Sequence, residues 1–263
     1  MAPVLYIFGT AVPSYTVMIL IGFAAGLFVA ERRRSLYRLR ADVVLAAYFL
    51  AGIGAFLGGK LFFVIQGFGS FLELHARDGL SFFTYFSQAG LVFYGGMAGT
   101  LGGIFLAAPA LQEKPWPLMD TLLPSLPLAQ AFGRVGCLLA GCCYGIPVSW
   151  GLWMDAASGA PADSPLLPVQ LFEAAGCLVL FICLLHLGRT KRPRGYLLSI
   201  YLLGYSALRF GLEFLRYDAI RGSIGVLSVS QWCSIAAALC GLLLLRHARS
   251  GASEAREESV RSL

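Results

Sequence analysis

Apolar residues run through this chain in long blocks, separated by short polar stretches. Seven blocks, at about 14–31, 42–66, 91–110, 117–139, 168–187, 195–212 and 226–245, each approach the ~20 residues a helix needs to cross a bilayer. Gly and Pro interrupt several of them, so their ends are soft by a few residues. The pattern predicts an all-α, polytopic membrane protein with seven transmembrane helices in one domain, residues 1–246, followed by a polar tail, residues 247–263. The first block lacks a basic leader and a small-residue cleavage site, so it reads as a retained span. Residues 67–90 read as an amphipathic outer connection, a helix lying on the membrane face. Residues 144–167, rich in Pro, Gly, Ser and Asp, read as a second outer loop, and the tail after Arg246 as frayed or disordered.

Composition agrees. The 263 residues are 58% hydrophobic and 13% charged, which excludes a soluble globular class. Charge then orients the chain. Arg32, Arg33, Arg34, Arg38 and Arg40 follow the first block and Lys114 the third. Arg189, Lys191, Arg192 and Arg194 follow the fifth, and Arg246, Arg249, Arg256 and Arg261 the seventh. With seven spans, fourteen of the 20 Lys and Arg fall on one side. The positive-inside rule makes that side cytoplasmic, with the N-terminus outside and the C-terminus in the cytoplasm. The net charge of +6 therefore reports topology and contact with anionic membrane lipid, and no nucleic-acid partner is expected.

Six basic residues remain. Arg77 and Arg221 read as solvated charges in outer loops. Lys60, Arg134 and Arg209 lie in apolar context, where a cation costs ~2.5 kcal/mol or more without a partner. Arg216 closes the same segment as Arg209. Tyr205, Arg209 and Glu213, at i, i+4 and i+8, share one helix face, and Gln170 and Glu173 can supply partners from the fifth block. Gly58-Gly59-Lys60, Tyr94-Gly95-Gly96 and the arginine–cysteine segment from Gly133 to Gly145 fall at matching depth. Two readings stand side by side. Small residues and Arg–Glu pairs can be helix packing alone. Cations from three spans gathered with tyrosines suit an anionic head group, because the guanidinium fork matches phosphate oxygens.

Cys177, Cys183, Cys233 and Cys240 read as small apolar residues of the spans. Cys137, Cys142 and Cys143 face an oxidising compartment in this topology. They stand as redox candidates: a disulfide from Cys137 to Cys142 or Cys143, or a thiolate nucleophile beside Arg134. No metal site is expected, since no His is in sequence reach and two of the thiols are adjacent.

The ordered motifs resemble the prolipoprotein diacylglyceryl transferase family through most of the chain. Pro13-Ser14-Tyr15 with Gly22-Phe23 is similar to its first span, and Gly58-Gly59-Lys60 stands where the family has Gly-Gly-Arg. Gly133-Arg134-x-Gly136, with Gly141 and Gly145, resembles its signature. Pro168-Val169-Gln170-Leu171-Phe172-Glu173 is similar to its Pro-(Ser/Thr)-Gln-Leu-Tyr-Glu, and Tyr205-x-x-x-Arg209-Phe210-x-x-Glu213 to its second arginine segment. Four of the chain's departures from the family are serious. Cys137 replaces an Asn, Cys142 a Glu, Tyr94 the His of His-Gly-Gly, and Leu167 a second His.

The resemblance implies a multi-pass protein of the bacterial inner membrane, with no cofactor. It would move a diacylglyceryl group from phosphatidylglycerol to the lipobox cysteine of a prolipoprotein signal peptide, leaving glycerol-1-phosphate. Arg134 and Arg209 would hold the phosphate, with Tyr94, Tyr15 or Tyr205 assisting proton removal. Lys60, Gly95, Gly96, Gly133, Gly136, Gly145, Gln170, Glu173 and Glu213 would line the lipid site. Two alternatives remain at this stage: a related head-group transferase with another acceptor, and a non-catalytic or redox membrane protein using the three thiols.

Overall fold

The apolar blocks fold into helices, and their ends are set by turn chemistry and by basic residues. A computed structural model describes residues 3–7, 9–154, 160–161, 163–217 and 222–261; Arg221 lies outside them. The chain divides into two units, one of Tyr37–Thr121 and the other of Met1–Leu36 with Leu122–Leu263.

In the larger unit, strands β1 (Val4–Ile7) and β2 (Thr10–Pro13) pair antiparallel, with Val4 opposite Pro13. Helix α1 (Ser14–Tyr37) follows directly, and Ser14 donates from its N–H and hydroxyl to the Pro3 carbonyl at 2.9 and 3.1 Å. Helix α7 (Ser125–Ala140) begins after a break at Leu123–Pro124. It is held to α1 by the Ser125 hydroxyl on the Gly26 carbonyl at 2.7 Å. Strand β3 (Pro147–Leu152) precedes helices α8 (Val169–Leu187) and α9 (Tyr196–Glu213). The short pair β4 (Ser223–Ile224) and β5 (Leu227–Ser228) leads into α10 (Val229–Arg261). Helices α7, α8, α9 and α10 pack in sequence order, each on the next.

The smaller unit is built on α2 (Ala41–Gln66) and α5 (Phe93–Ala110), with α3 (Phe68–Asp78), α4 (Phe82–Gln88) and α6 (Pro115–Leu122). Helices α2 and α5 touch backbone to backbone. A methyl on Gly58 would meet the Gly95 carbonyl, and one on Gly99 the Gly54 carbonyl. Without a hydrophobic force between helices in lipid, such closeness is what holds a pair. The predicted outer connection is two helices, α3 and α4, with Phe71 packed among Phe82, Tyr85 and His75.

The polar pattern is inverted relative to a soluble protein. Gln170, Glu173, Arg209 and Glu213 are buried, whereas Leu20, Ile53, Leu106, Ile182 and Leu243 lie exposed on helix flanks. Such apolar flanks are stable only against lipid. The chain is a polytopic helical membrane protein. Fewer than the seven expected spans are clear from helix length and apolarity. Among the described residues five helices are long and apolar enough to cross a membrane, and six if α4 and α5, bent by 100°, form one broken span. Helix α9 coincides with the predicted sixth block but falls outside that set, because Arg209 and Glu213 interrupt its apolar run. The polar tail, expected to fray, continues the helical backbone of α10 to Arg261.

Candidate active site

The end of α7 builds one half of the site. Gly141 takes a left-handed φ of 75°, so the chain turns back on the helix it has just left. Its N–H reaches the Leu138 carbonyl at 3.1 Å, and the Cys142 N–H reaches the Cys137 carbonyl at 3.0 Å. These are the two bonds of a Schellman ending. Cys143 is also left-handed, at φ 63°, which is unfavourable for any residue with a Cβ. Two left-handed residues within three positions fold Cys142 and Cys143 over the last turn. The Sγ atoms of Cys137, Cys142 and Cys143 all lie within 4.8 Å of one another. All seven cysteines are free, so neither candidate disulfide is formed.

The next residues fix that turn. Gly145 donates to the Leu167 carbonyl at 2.9 Å, Ile146 to Leu215 at 3.0 Å, and Tyr217 to Tyr144 at 3.2 Å. The loop after α7 is thereby tied to the start of α8 and the end of α9. Gly145 is a packing necessity, since a methyl there would lie 2.5 Å from Val169 Cγ2 and 2.6 Å from the Leu215 carbonyl. Gln170, 1% exposed, donates from Nε2 to the Cys142 carbonyl at 2.7 Å.

The other half is an ion cluster. One guanidinium nitrogen of Arg134 lies 3.1 Å from Glu173 Oε1, and one of Arg209 lies 3.4 Å from Glu173 Oε2. Arg209 also pairs with Glu213 at 2.8 Å and donates from Nε to the Ser230 hydroxyl at 3.0 Å. The Tyr205 hydroxyl donates to Glu173 Oε1 at 2.9 Å. A single carboxylate thus bridges two guanidiniums from different helices. Arg209 is held from three sides, whereas among the described residues Arg134 pairs with Glu173 alone. Most of the five N–H donors of Arg134 remain for a ligand.

Charge reaches the thiols as well. Cys143 is held well below the ordinary thiol range by hydrogen bonds from Cys137 and Cys142, with the Arg216 and Arg134 charges adding to them. The Cys142 thiol is pulled down by its bond with Cys137. Its bond with Cys143 and burial outweigh that and push it up to about 11.

Other expected site residues are placed differently. Tyr15 packs on Gly136, where a methyl would lie 3.1 Å from its ring, and Gly133 faces Ile19. Those two glycines let α1 and α7 approach. In the smaller unit Gly95 and Gly96 stand where α2 and α5 touch, and Tyr94, 7% exposed, packs edge-on to Phe93. Lys60, expected at a head group, instead donates to the carbonyls of Phe86, Ser87 and Ala89 at 3.0, 2.8 and 3.0 Å. It caps the C-terminal end of α4, where a cation also meets the helix dipole. Lys60→Met is expected to cost about 1.5–3 kcal/mol, read as a lower unfolding midpoint in detergent with phosphatidylglycerol binding unchanged. Weaker lipid binding at unchanged stability would return Lys60 to the lipid site.

Sequence reasoning missed Gln130, Tyr201 and Ser230. Gln130 donates to the Tyr201 hydroxyl at 2.5 Å and accepts from Cys177 at 3.7 Å, and the Tyr201 ring stacks on Tyr205 at 6.0 Å. The signal was available for two of them. Gln130 lies four residues before Arg134, and Tyr201 four before Tyr205.

Residues 3–247 match the family described as prolipoprotein diacylglyceryl transferase. The phosphatidylglycerol–prolipoprotein diacylglyceryl transferase 2 of Clostridium perfringens is 38% identical over 240 residues, covering 90% of this chain and 91% of its own. The corresponding transferase of Clostridium tetani is 31% identical, covering 93% and 96%, and that of Geobacter sulfurreducens 33%, covering 88% of each. On a match through nearly its whole length, the chain belongs to the prolipoprotein diacylglyceryl transferase family.

Proposed function

We propose that this protein transfers a diacylglyceryl group from phosphatidylglycerol to the lipobox cysteine of prolipoproteins, the first covalent step of lipoprotein biogenesis. The observation that carries this reading is the buried Arg134–Glu173–Arg209 bridge in a chain of this family. Glu173 holds the two forks in register, and Arg209 is anchored by Glu213 and Ser230. A phosphodiester placed against Arg134 takes its remaining donors. As the C–O bond to the glyceryl carbon breaks, charge gathers on the phosphate, and a preorganised guanidinium stabilises that charge without reorganising. The acceptor must attack as a thiolate. The decisive assay is movement of radiolabel from phosphatidylglycerol, acyl-labelled, onto a lipobox peptide by the purified protein. Label should appear on the Cys peptide and not on its Ser counterpart; absence of label from both overturns the reading.

The site belongs on the outer side of the bacterial inner membrane, with α9 as the seventh span. The distribution of basic residues supports this, since Arg32, Arg33, Arg34, Arg189, Arg192 and Arg194 flank helix ends of one side. Residues Ala2 and Ser262 are then on opposite faces. In a protein whose seven native cysteines are replaced by Ala, impermeant thiol labelling should modify Ala2→Cys from outside and Ser262→Cys only after permeabilisation. Labelling of both from one side means an even number of spans.

A further inference from the structure

Three free thiols crowd together at the end of α7, and two of them, Cys137 and Cys142, stand where the resembled motif has Asn and Glu. We propose that Cys137, Cys142 and Cys143 bind a thiophilic divalent cation, Zn2+ in kind, whose open coordination position takes the lipobox thiol of the acceptor.

The geometry supports this first. Zinc–thiolate bonds of ~2.3 Å place the sulfurs of a tetrahedral site about 3.8 Å apart. The three Sγ atoms lie within 4.8 Å of one another without any disulfide, so closing onto a metal takes sub-ångström movements. The backbone holds them there. A Schellman ending, a left-handed Cys143 and the Gln170 amide on the Cys142 carbonyl together fix a conformation that costs strain. Cys137 is buried while Cys142 and Cys143 are half-buried, so the cluster has a closed side and an open one. Sulfur ligands select soft cations, and three protein ligands with one open position mark a catalytic zinc site, not a structural one. A structural site would need a fourth ligand. Among the described residues no His, Asp or Glu joins the three thiols.

Charge balances too. Four thiolates on one divalent cation carry two negative charges, and Arg134 and Arg216 both act on the cluster. The inference rests on the transferase reading and deepens it, because it supplies the deprotonated acceptor thiol that the transfer requires. A thiol bound to zinc loses its proton outright. Arg134 stands one turn before Cys137 on the same face of α7, so a phosphate on Arg134 and a thiolate held beside Cys137 are neighbours. The metal-bound sulfur then attacks the glyceryl carbon. A C–S bond forms, the C–O bond to phosphate breaks with its pair on oxygen, and the thiol's proton ends on the departing glycerol phosphate. No electrons are transferred, and the thioether, a poor ligand, leaves the metal.

The test uses the full-length protein in detergent, reduced with a thiol-free reductant, and Co2+ as the spectroscopic stand-in for zinc. One Co2+ per chain should bind with thiolate-to-metal and tetrahedral absorption bands. Cys137→Ser, Cys142→Ser and Cys143→Ser should each lose them, with helical circular dichroism showing that the variants fold. A lipobox peptide should shift the bands, and its Ser counterpart should not. With zinc, transfer should be near its plateau at pH 7. Chelation should lower it there at least tenfold and move its rise to the range of a free thiol, ~8.5. No stoichiometric Co2+ in the parent protein, or a disulfide that re-forms among the three thiols in preference to metal, overturns the proposal. So does a bound Co2+ whose bands ignore the Cys peptide. Bands that shift with the Cys peptide in a protein that transfers no lipid uphold the metal site and overturn the transferase reading.

Discussion

Arg134→Gln is expected to lower transfer from phosphatidylglycerol to a lipobox peptide by ~10²- to 10³-fold, the usual cost of removing one preorganised donor from developing charge. The variant should fold, because Glu173 keeps Arg209 as its partner. Arg134→Lys and Arg209→Lys each keep the charge and lose the fork. Each should lower transfer at least ~10-fold, about 1.4 kcal/mol. The two should differ in kind. Arg134 has one protein partner among the described residues, so its Lys variant should lose lipid affinity with little change in stability. Arg209 is bonded to Glu173, Glu213 and Ser230, so its Lys variant should also unfold at lower temperature. Titrating phosphatidylglycerol in mixed micelles and following thermal unfolding separates these effects. If both Lys variants transfer like the parent, the arginines are packing partners and the lipid phosphate binds elsewhere.

Glu173→Ala should be the most destabilising single change in the site, by about 3–5 kcal/mol, the cost of breaking a buried ion pair from one side. The carboxylate is 1% exposed; its removal takes away the one carboxylate paired with Arg134 among the described residues and leaves Arg209 to Glu213 and Ser230. A companion variant tests the reason. Replacing all four ions together, as Arg134→Met, Glu173→Leu, Arg209→Met and Glu213→Leu, removes the unpaired charges along with the pairs. It should recover most of the lost stability while transfer stays absent. Unfolding midpoints in detergent, read beside the transfer assay, decide it. A Glu173→Ala protein as stable as the parent would mean that water or lipid already satisfies the arginines.

Much of the site was legible as rows of polar residues one helical turn apart. Tyr205, Arg209 and Glu213 announce one face of α9, Gln170 and Glu173 one face of α8, and Arg134 and Cys137 one face of α7. In an apolar helix a polar row has to face protein, so its burial follows from sequence and from the cost of charge in lipid. What a row meets is another matter. The spacing that marks Glu173 as a partner does not say that it joins two arginines, and Lys60 looked equivalent to them until its donors were found on the end of α4.

The glycines divide in the same way. Gly58, Gly95 and Gly99 signal close approach by their lack of a side chain, but only the packed helices show a neighbouring backbone there and not a lipid. Sequence alone determined the class, the helix positions, the family and the sign of charge on each connection. These depend on hydrophobic length, period and local chemistry. Tertiary structure decided which helices fall short of a clean span, which cation caps a helix and which grips Glu173. It also brought Cys142 and Cys143 back onto Cys137. That last event turns on two left-handed residues and three hydrogen-bonded chain segments. No local pattern encodes it, because adjacent cysteines on a continuing helix would have pointed apart.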